Sequence, residues 1–118
     1  GTSPMRGRLL NRGPRVAETT AFELAREIHE GTSLQIVDVR ELDEWHGGRI
    51  PGSIHIPLGQ LGQRVGELDA QTRVVAVCRT GNRSTWATMT LQNSGFQDVV
   101  NLDGGIVAWA RAGLPIER

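Results

Sequence analysis

The segment from residue 74 to residue 84 joins an apolar run, the only cysteine of the chain and a cationic loop, and it constrains the fold most. The run Val74–Val77 predicts a buried strand ending at Cys78, and residues Thr85–Asn93 predict a helix after the loop. Backbone N–H groups in such a loop, backed by a helix N-terminus, form a concave anion site. The same positive potential favours a thiolate over a thiol. The pattern therefore predicts a site for a reactive cysteine.

The remainder of the chain alternates helical and extended patterns. Thr20 and Glu23 form a capping box that begins a helix, and Gly31 is suited to end it. Further strands are predicted at residues 34–40, 53–56, 73–77 and 99–102, and further helical segments at 41–46, 58–68, 85–93 and 106–111. This alternation favours an α/β domain with a mostly parallel sheet. Ligands of such sheets lie beyond the carboxyl ends of the strands, so we expect Cys78 and Asp38 to share one pocket.

The length of 118 residues suits one domain, and the formal net charge of zero argues against partners such as nucleic acid or membranes. One cysteine cannot form an internal disulfide, and no apolar run approaches the about 20 residues of a membrane helix. We expect a cytoplasmic protein, because a reducing cytosol keeps the thiol available.

The first fifteen residues are rich in glycine, proline and arginine and lack periodicity. We interpret residues 1–15 as a flexible basic leader, of which Gly1–Pro4 can be a remnant of cloning, and residues 16–118 as the folded domain. A solvated tail is favoured over a partner-binding arm. Removal of the leader is therefore expected to leave activity intact.

The residues around Cys78 limit its chemistry. A cysteine protease needs a histidine base, but His29, His46 and His55 are each interpreted as structural or solvent-facing. One cysteine with scattered histidines does not supply a zinc site, so neither a metal nor another cofactor is predicted. Nucleophilic transfer on a small anion remains, with a phosphoryl group, an arsenate or a sulfur atom as alternatives.

The length of the loop helps to choose among these reactions. Four residues separate Cys78 from Arg83, whereas the cysteine phosphatase signature has five. A shorter loop gives a smaller ring of amides, which fits a cysteine bearing one extra sulfur better than a tetrahedral phosphate. Gly81 lets the backbone turn its N–H groups inward, and the Arg83 fork can hold an anion. Arg79 is either a second ligand or a solvent-exposed bystander.

Three motifs resemble the single-domain rhodaneses, a family of thiosulfate sulfurtransferases. The loop Cys78–Ser84 resembles their active-site loop. Residues 38–57, with Asp38-Val39-Arg40 and Gly48-Arg49-Ile50-Pro51-Gly52, resemble their upstream signature, and residues 102–115 resemble their carboxyl-terminal one. Together these motifs cover residues from about 18 to 116.

The resemblance implies a three-layer domain with a mostly parallel five-stranded sheet and helices on both faces. It implies that Cys78 takes the outer sulfur of thiosulfate, releases sulfite, and passes the sulfur from a persulfide to cyanide, a thiol or a protein acceptor. Under this resemblance the substrate-binding residues are Arg79, Thr80, Gly81, Asn82, Arg83 and Ser84. The supporting residues are Asp38, Arg40 and Arg49, of which the first two are expected to brace the loop.

Some positions depart from the family pattern. Arg49 stands where the family often has histidine, and Thr80 stands where the double-domain enzymes carry a second basic residue. The two loop arginines still favour thiosulfate over mercaptopyruvate. Glu44, Trp45 and Trp109 are interpreted as scaffold residues. A persulfide carrier or regulatory module without turnover is the alternative function, and a small cysteine phosphatase or arsenate reductase is less favoured.

Overall fold

The computed structural model describes residues 16–118, and these form one five-stranded parallel sheet. Residues 1–15, the proposed leader, lie outside the described part of the chain. The strands are β1 (Glu18–Thr19), β2 (Leu34–Asp38), β3 (Ile54–His55), β4 (Arg73–Val77) and β5 (Val99–Leu102), in the spatial order β1-β5-β4-β2-β3. The helices are α1 (Ala21–His29), α2 (Leu42–His46), α3 (Leu58–Arg64), α4 (Asn82–Asn93) and α5 (Gly105–Arg111), and a 3-10 turn, Val65–Glu67, follows α3.

The apolar residues of β4 divide between two cores, one on each face of the sheet. Val74, Ala76 and Cys78 lie in the cluster that contains Leu61 of α3 and Leu91 of α4. The alternate residues of β4 join α1 and α5 in the other cluster, which contains Val75, Val77, Leu24, Ile106 and Trp109. A central strand covered on both faces explains why β4 is continuously apolar instead of alternating. The predicted three-layer α/β fold is therefore confirmed.

Several boundaries differ from the predictions. The two-residue strand β1 was not predicted from the residues, because so short a segment has no periodicity to detect. Helix α4 begins at Asn82 instead of Thr85, so part of the predicted loop is its first turn. Strand β2 ends at Asp38 instead of Arg40. The predicted cap of α1 is present, since Thr20 Oγ1 accepts a hydrogen bond from the Glu23 N–H at 3.1 Å.

The sheet order brings the two candidate strand ends together. Strands β2 and β4 are neighbours with Asp38 opposite Val77, although β3 and other elements separate them in sequence. From β2 the chain continues to β3 on one side of the sheet, whereas from β4 it continues to β5 on the other side. Such a topological switch point opens a crevice at the carboxyl ends of the two strands. The crevice lies where Cys78 follows β4. No helix of residues 16–118 is long and apolar enough to span a membrane.

Candidate active site

Cys78 lies at the carboxyl end of β4, and its side chain is buried. Its sulfur accepts a hydrogen bond from the Gly81 N–H, with 3.0 Å between N and Sγ. Gly81 precedes α4 with φ of 110°, a conformation that favours glycine, and this turn directs the N–H toward the sulfur. The N-terminus of α4 thus stands over Sγ and supplies the positive potential that the sequence predicts.

The amino end of α5 holds the other side of the loop. The Ile106 N–H donates to the Cys78 carbonyl at 2.9 Å, and the Val107 N–H donates to the Arg79 carbonyl at 3.1 Å. A Cβ atom on Gly105 would lie 2.4 Å from both carbonyl oxygens, so the close approach requires glycine here. The carbonyls are therefore turned toward α5. This contact explains why position 105 of the Gly104-Gly105 motif requires glycine.

Ser84 and Asn101 form a buried polar cluster behind the cysteine. The Ser84 hydroxyl lies 3.3 Å from Cys78 Sγ and also donates to Asn101 Oδ1. The Asn101 amide donates from Nδ2 to the Gly81 carbonyl at 3.2 Å. Both groups that contact the sulfur, the Gly81 peptide and the Ser84 hydroxyl, are thus held by one side chain of β5.

Arg83, the predicted anion ligand, is paired with Glu44 of α2. Its two terminal nitrogens donate to the two carboxylate oxygens at 2.7 and 2.8 Å. The hydrogen bonds from Arg83 lower the pKa of Glu44 to about 2, and the Glu44 carboxylate raises the pKa of Arg83 above its ordinary value. Arg83 lies on the first turn of α4, next to Ser84, whose hydroxyl contacts the Cys78 sulfur.

Asp38 and Arg40 form a second, fully enclosed pair. The Arg40 guanidinium donates to both oxygens of Asp38 at 2.8 to 3.1 Å, and its Nη2 also donates to the Gly48 carbonyl at 2.7 Å. These contacts tie the end of β2 to the turn at Gly48. The hydrogen bonds of Arg40 and Asp38 side chains among residues 16–118 do not reach the loop, so any bracing of the loop acts through the backbone of β2. Their role as supporting residues stays a prediction.

Arg49 belongs to a stacked group on the rim of the domain. Its guanidinium lies 4.7 Å from the centre of the Trp45 ring and donates to the Trp45 carbonyl. The Trp45 ring stacks on His55 with 4.9 Å between centroids, and His55 Nε2 lies 2.8 Å from the Arg40 carbonyl. The backbone of Arg49 pairs with Glu117. The structure thus places Arg49 in a scaffold that joins the upstream motif to the chain end.

The remaining loop residues differ in exposure. Arg79, Thr80 and Asn82 are exposed, whereas Gly81 and Ser84 are buried. Arg79 lines a cavity of about 340 Å³ that also has Glu44, Arg118 and the α5 residues Ile106 and Val107 in its wall. The structure therefore gives Arg79 a concave surface beside the loop, but no contact with the sulfur.

The sequence does not predict the roles of two residues of the site, Glu44 and Asn101. Glu44 was interpreted as a scaffold residue, but it binds Arg83 directly. Asn101 was not singled out, although a polar residue within the apolar strand Val99–Leu102 is a signal that could have found it. Trp109 is buried and donates from Nε1 to the Pro115 carbonyl at 2.7 Å, as expected for packing. Within residues 16–118, no group of histidine, cysteine or acidic residues could hold a metal ion.

Two curated relatives are similar to most of this chain. The chain is 34% identical over 94 residues to the putative sulfur carrier protein YrkF of Bacillus subtilis, with 80% of this chain and 51% of that protein covered. It therefore spans about half the length of YrkF. It is 36% identical over 86 residues to the thiosulfate sulfurtransferase GlpE of Shewanella oneidensis, with 73% of this chain and 85% of that protein covered.

Structural and family comparisons agree with the resemblance found in the motifs. A rhodanese-related protein from Thermoplasma volcanium superposes with a TM-score of 0.79 and 30% identity, covering 86% of this chain and 98% of that one. The family model of the rhodanese-like domain matches residues 20–112, which include the loop, the upstream motif and most of the carboxyl-terminal motif. The chain therefore belongs to the rhodanese-like domain family of sulfurtransferases.

Proposed function

We propose that this protein transfers the outer sulfur of thiosulfate to a thiophilic acceptor through a persulfide on Cys78. The observation that carries the proposal is the setting of Sγ, which receives the Gly81 N–H at the start of α4, the helix that carries Arg83 on its first turn. A helix N-terminus and a guanidinium both favour a dianionic donor next to a thiolate. The relationship to GlpE, a thiosulfate sulfurtransferase, supports the same donor.

The reaction divides into two displacements at sulfur. The Cys78 thiolate attacks the outer sulfur of thiosulfate, a new S–S bond forms, and the old S–S bond breaks with its electron pair leaving on sulfite. Cyanide or a thiolate then attacks the outer sulfur of the persulfide and the Cys78 thiolate leaves. Neither step requires a proton to be removed by a histidine. This agrees with His55, whose Nε2 is engaged with the Arg40 carbonyl.

Arg83 is the proposed ligand of the sulfonate oxygens. It would exchange the Glu44 carboxylate for the incoming anion, since a carboxylate and the tetrahedral SO₃ end of thiosulfate each present two oxygens that a guanidinium fork can bind. Arg79, on the adjacent cavity, would raise the local concentration of anions without binding the reacting group. The thiol acceptor would enter from the exposed side of the loop, where Thr80 and Asn82 lie.

The direct test is the formation of thiocyanate from thiosulfate and cyanide. The wild-type protein should turn over, and the Cys78→Ser variant should fall to the uncatalysed background because its hydroxyl is a poor sulfur nucleophile. Glutathione and reduced thioredoxin should be tried as acceptors in the same experiment. Wild-type turnover no higher than that of Cys78→Ser would refute the proposal.

A persulfide carrier is the second candidate, and the similarity to the putative sulfur carrier YrkF favours it specifically. Both functions need Cys78, so substitution of the cysteine does not distinguish them. Mass spectrometry after incubation with thiosulfate or a persulfide donor does so. A protein heavier by one sulfur atom, together with negligible turnover for every acceptor, would identify a carrier.

A phosphatase or arsenate reductase remains the least favoured alternative. Its loop would need one further residue between Cys78 and Arg83 to place its amides around a tetrahedral oxyanion. Hydrolysis of a generic aryl phosphate that depends on Cys78 would support it against the sulfurtransferase.

A further inference from the structure

We propose that Asn101 is a positioning residue that directs the Ser84 proton away from Cys78 and thereby favours the thiol over the thiolate. Asn101 is 1% exposed and lies on β5, with its amide between Gly81 and Ser84. In the described part of the chain, the hydrogen-bond partners of Sγ are the Gly81 N–H and the Ser84 hydroxyl, and Asn101 is not one of them. Its influence must therefore pass through the two groups that contact Sγ.

The orientation of the Asn101 amide is fixed by its neighbours. Nδ2 lies 3.2 Å from the Gly81 carbonyl and 3.3 Å from Oε2 of Glu18. A carbonyl and a carboxylate can only accept hydrogen bonds, so the NH₂ group must face them. The opposite end of the amide, Oδ1, then faces the Ser84 hydroxyl, and Oδ1 can only accept.

The Ser84 hydroxyl has one proton and two buried neighbours. Because Oδ1 of Asn101 requires a donor, the hydroxyl proton points to Asn101. The 3.3 Å contact between Ser84 Oγ and Cys78 Sγ is then best satisfied by a thiol that donates to the serine oxygen. The sulfur keeps the Gly81 N–H as its own donor at 3.0 Å. All groups of this cluster are satisfied when Cys78 is protonated.

Loss of the thiol proton to water disturbs this arrangement. The thiolate would face a lone pair of Ser84 unless the hydroxyl rotates toward it, and rotation leaves the buried Oδ1 of Asn101 without a donor. An unpaired buried acceptor is costly. Asn101 therefore opposes a bare negative charge on Sγ. Charged groups near the cluster include Arg79 next to Cys78 in sequence, Arg83 with its partner Glu44 and the nearby Glu41, and Glu18 of β1.

The test is the pH dependence of Cys78 alkylation by iodoacetamide, which reports the thiolate and needs no thiosulfate turnover. In Asn101→Leu, a substitution of similar volume, Ser84 is free to donate to the thiolate. Because a hydrogen bond from Ser84 would stabilise the charged form of the sulfur, the pH midpoint of alkylation should fall by about one unit, which is a tenfold change in the ionisation equilibrium. The Gly81 carbonyl keeps the Thr85 hydroxyl as a donor, so the loop retains a support.

Ser84→Ala tests the direction of the hydrogen bond between Ser84 and Cys78, because the two directions predict different shifts of the pH midpoint of alkylation. If Ser84 accepts from the thiol, its removal should leave the midpoint unchanged or lower it. If Ser84 instead donates to the thiolate in the wild type, its removal should raise the midpoint, which would overturn the proposal. Because alkylation does not depend on the sulfur donor, either result is independent of whether thiosulfate is turned over.

The double variant separates positioning from a general loosening of the core. In a Ser84→Ala background, Asn101→Leu should no longer shift the midpoint, whereas a shift that persists would contradict the route through Ser84. Thr88→Val is the matched control, since it removes a buried hydroxyl that donates to the Ser84 carbonyl without touching the cysteine. Its midpoint should equal that of the wild type. An unchanged midpoint in folded Asn101→Leu would also refute the proposal.

Discussion

Two arginine–carboxylate pairs flank the reactive loop, and they are alike in geometry but not in exposure. Arg40 and Asp38 are joined by parallel hydrogen bonds, as are Arg83 and Glu44. The side chains of the first pair are 6% and 1% exposed, and those of the second are 35% and 26% exposed. The comparison indicates that burial, and not the pairing itself, separates a scaffold pair from one that can exchange partners.

The physical reason is whether water can reach the charged side chain that remains when its partner moves away. Separation of the buried pair would leave an uncompensated charge in the interior, at a cost of about 3–5 kcal/mol. Arg83 and Glu44 each retain access to solvent, so either can be rehydrated while the other binds elsewhere. We therefore expect the second arginine to exchange its carboxylate for a substrate anion at a smaller cost in stability than the first.

The largest effect should come from breaking the buried pair. Asp38→Asn removes the negative charge and leaves Arg40 buried beside the Gly48 carbonyl, so we expect a loss of about 3–5 kcal/mol in the free energy of unfolding. Urea unfolding at neutral pH measures it. Glu23→Gln, which breaks the exposed pair with Arg26, is the control and should stay close to the wild type. A small loss in Asp38→Asn would show that the buried pair is not the anchor of β2.

The next effect concerns catalysis and distinguishes the loop arginines. Arg83→Ala removes the proposed sulfonate ligand, and we expect kcat/KM for thiosulfate to fall about 100-fold, as for loss of one electrostatic donor in an active site. Arg79→Ala removes only an exposed cation and should lower kcat/KM about threefold. The assay is thiocyanate formation with saturating cyanide.

A conservative variant sharpens the assignment of Arg83. Arg83→Lys keeps the charge but not the fork that holds two oxygens at once. Its kcat/KM should fall between the wild type and Arg83→Ala. Equal losses in Arg83→Ala and Arg79→Ala would mean that the anion ligand has been misassigned.

Much of the architecture could be predicted because its signals are local. The continuous apolar run of β4 and the Thr20 N-cap of α1 are each signals within their own element, and the strand and the helix start that they predict are confirmed. The Glu23 half of the predicted capping box is not formed, because the Glu23 carboxylate accepts from Arg26. Strand β1 has two residues, and its place depends on β5, which lies more than 80 positions away. The first turn of α4 was predicted as loop because its stability comes from the Gly81 turn and the cysteine contact, which local propensity does not contain.

Only the part of the site that lies within one short stretch of sequence could be predicted. The order of Cys78, Gly81 and Arg83 within a few residues identifies a reactive loop. The partners that tune it come from other elements, since Glu44 lies 39 residues from Arg83 and Asn101 lies 17 residues from Ser84. Such contacts are set by sheet order and helix packing. No periodicity in the sequence encodes them.

The smallest effect is the contribution of the exposed pair to acid stability. The pKa of Glu44 is lowered by Arg83 from 4.5 to about 2, so the pair stabilises the folded state above about pH 4.5 and this contribution disappears as the pH falls toward 2. Allowing for the partial exposure of both side chains, we expect up to about 2 kcal/mol. Glu44→Gln should be less stable than the wild type at pH 7, and the difference should vanish near pH 2.

The control for this titration is another carboxylate with the same kind of partner. Arg64 also lowers the pKa of Glu67 by hydrogen bonds at 2.8 and 3.0 Å, but on an open surface. Glu67→Gln should therefore follow the wild type closely over the whole pH range. If Glu44→Gln and Glu67→Gln behave alike, the half-buried position of Glu44 adds nothing to its pairing, and the Arg83–Glu44 pair is then no stronger than an open surface pair. If only Glu44→Gln departs, Arg83 is held firmly enough at rest that a substrate anion must compete for it.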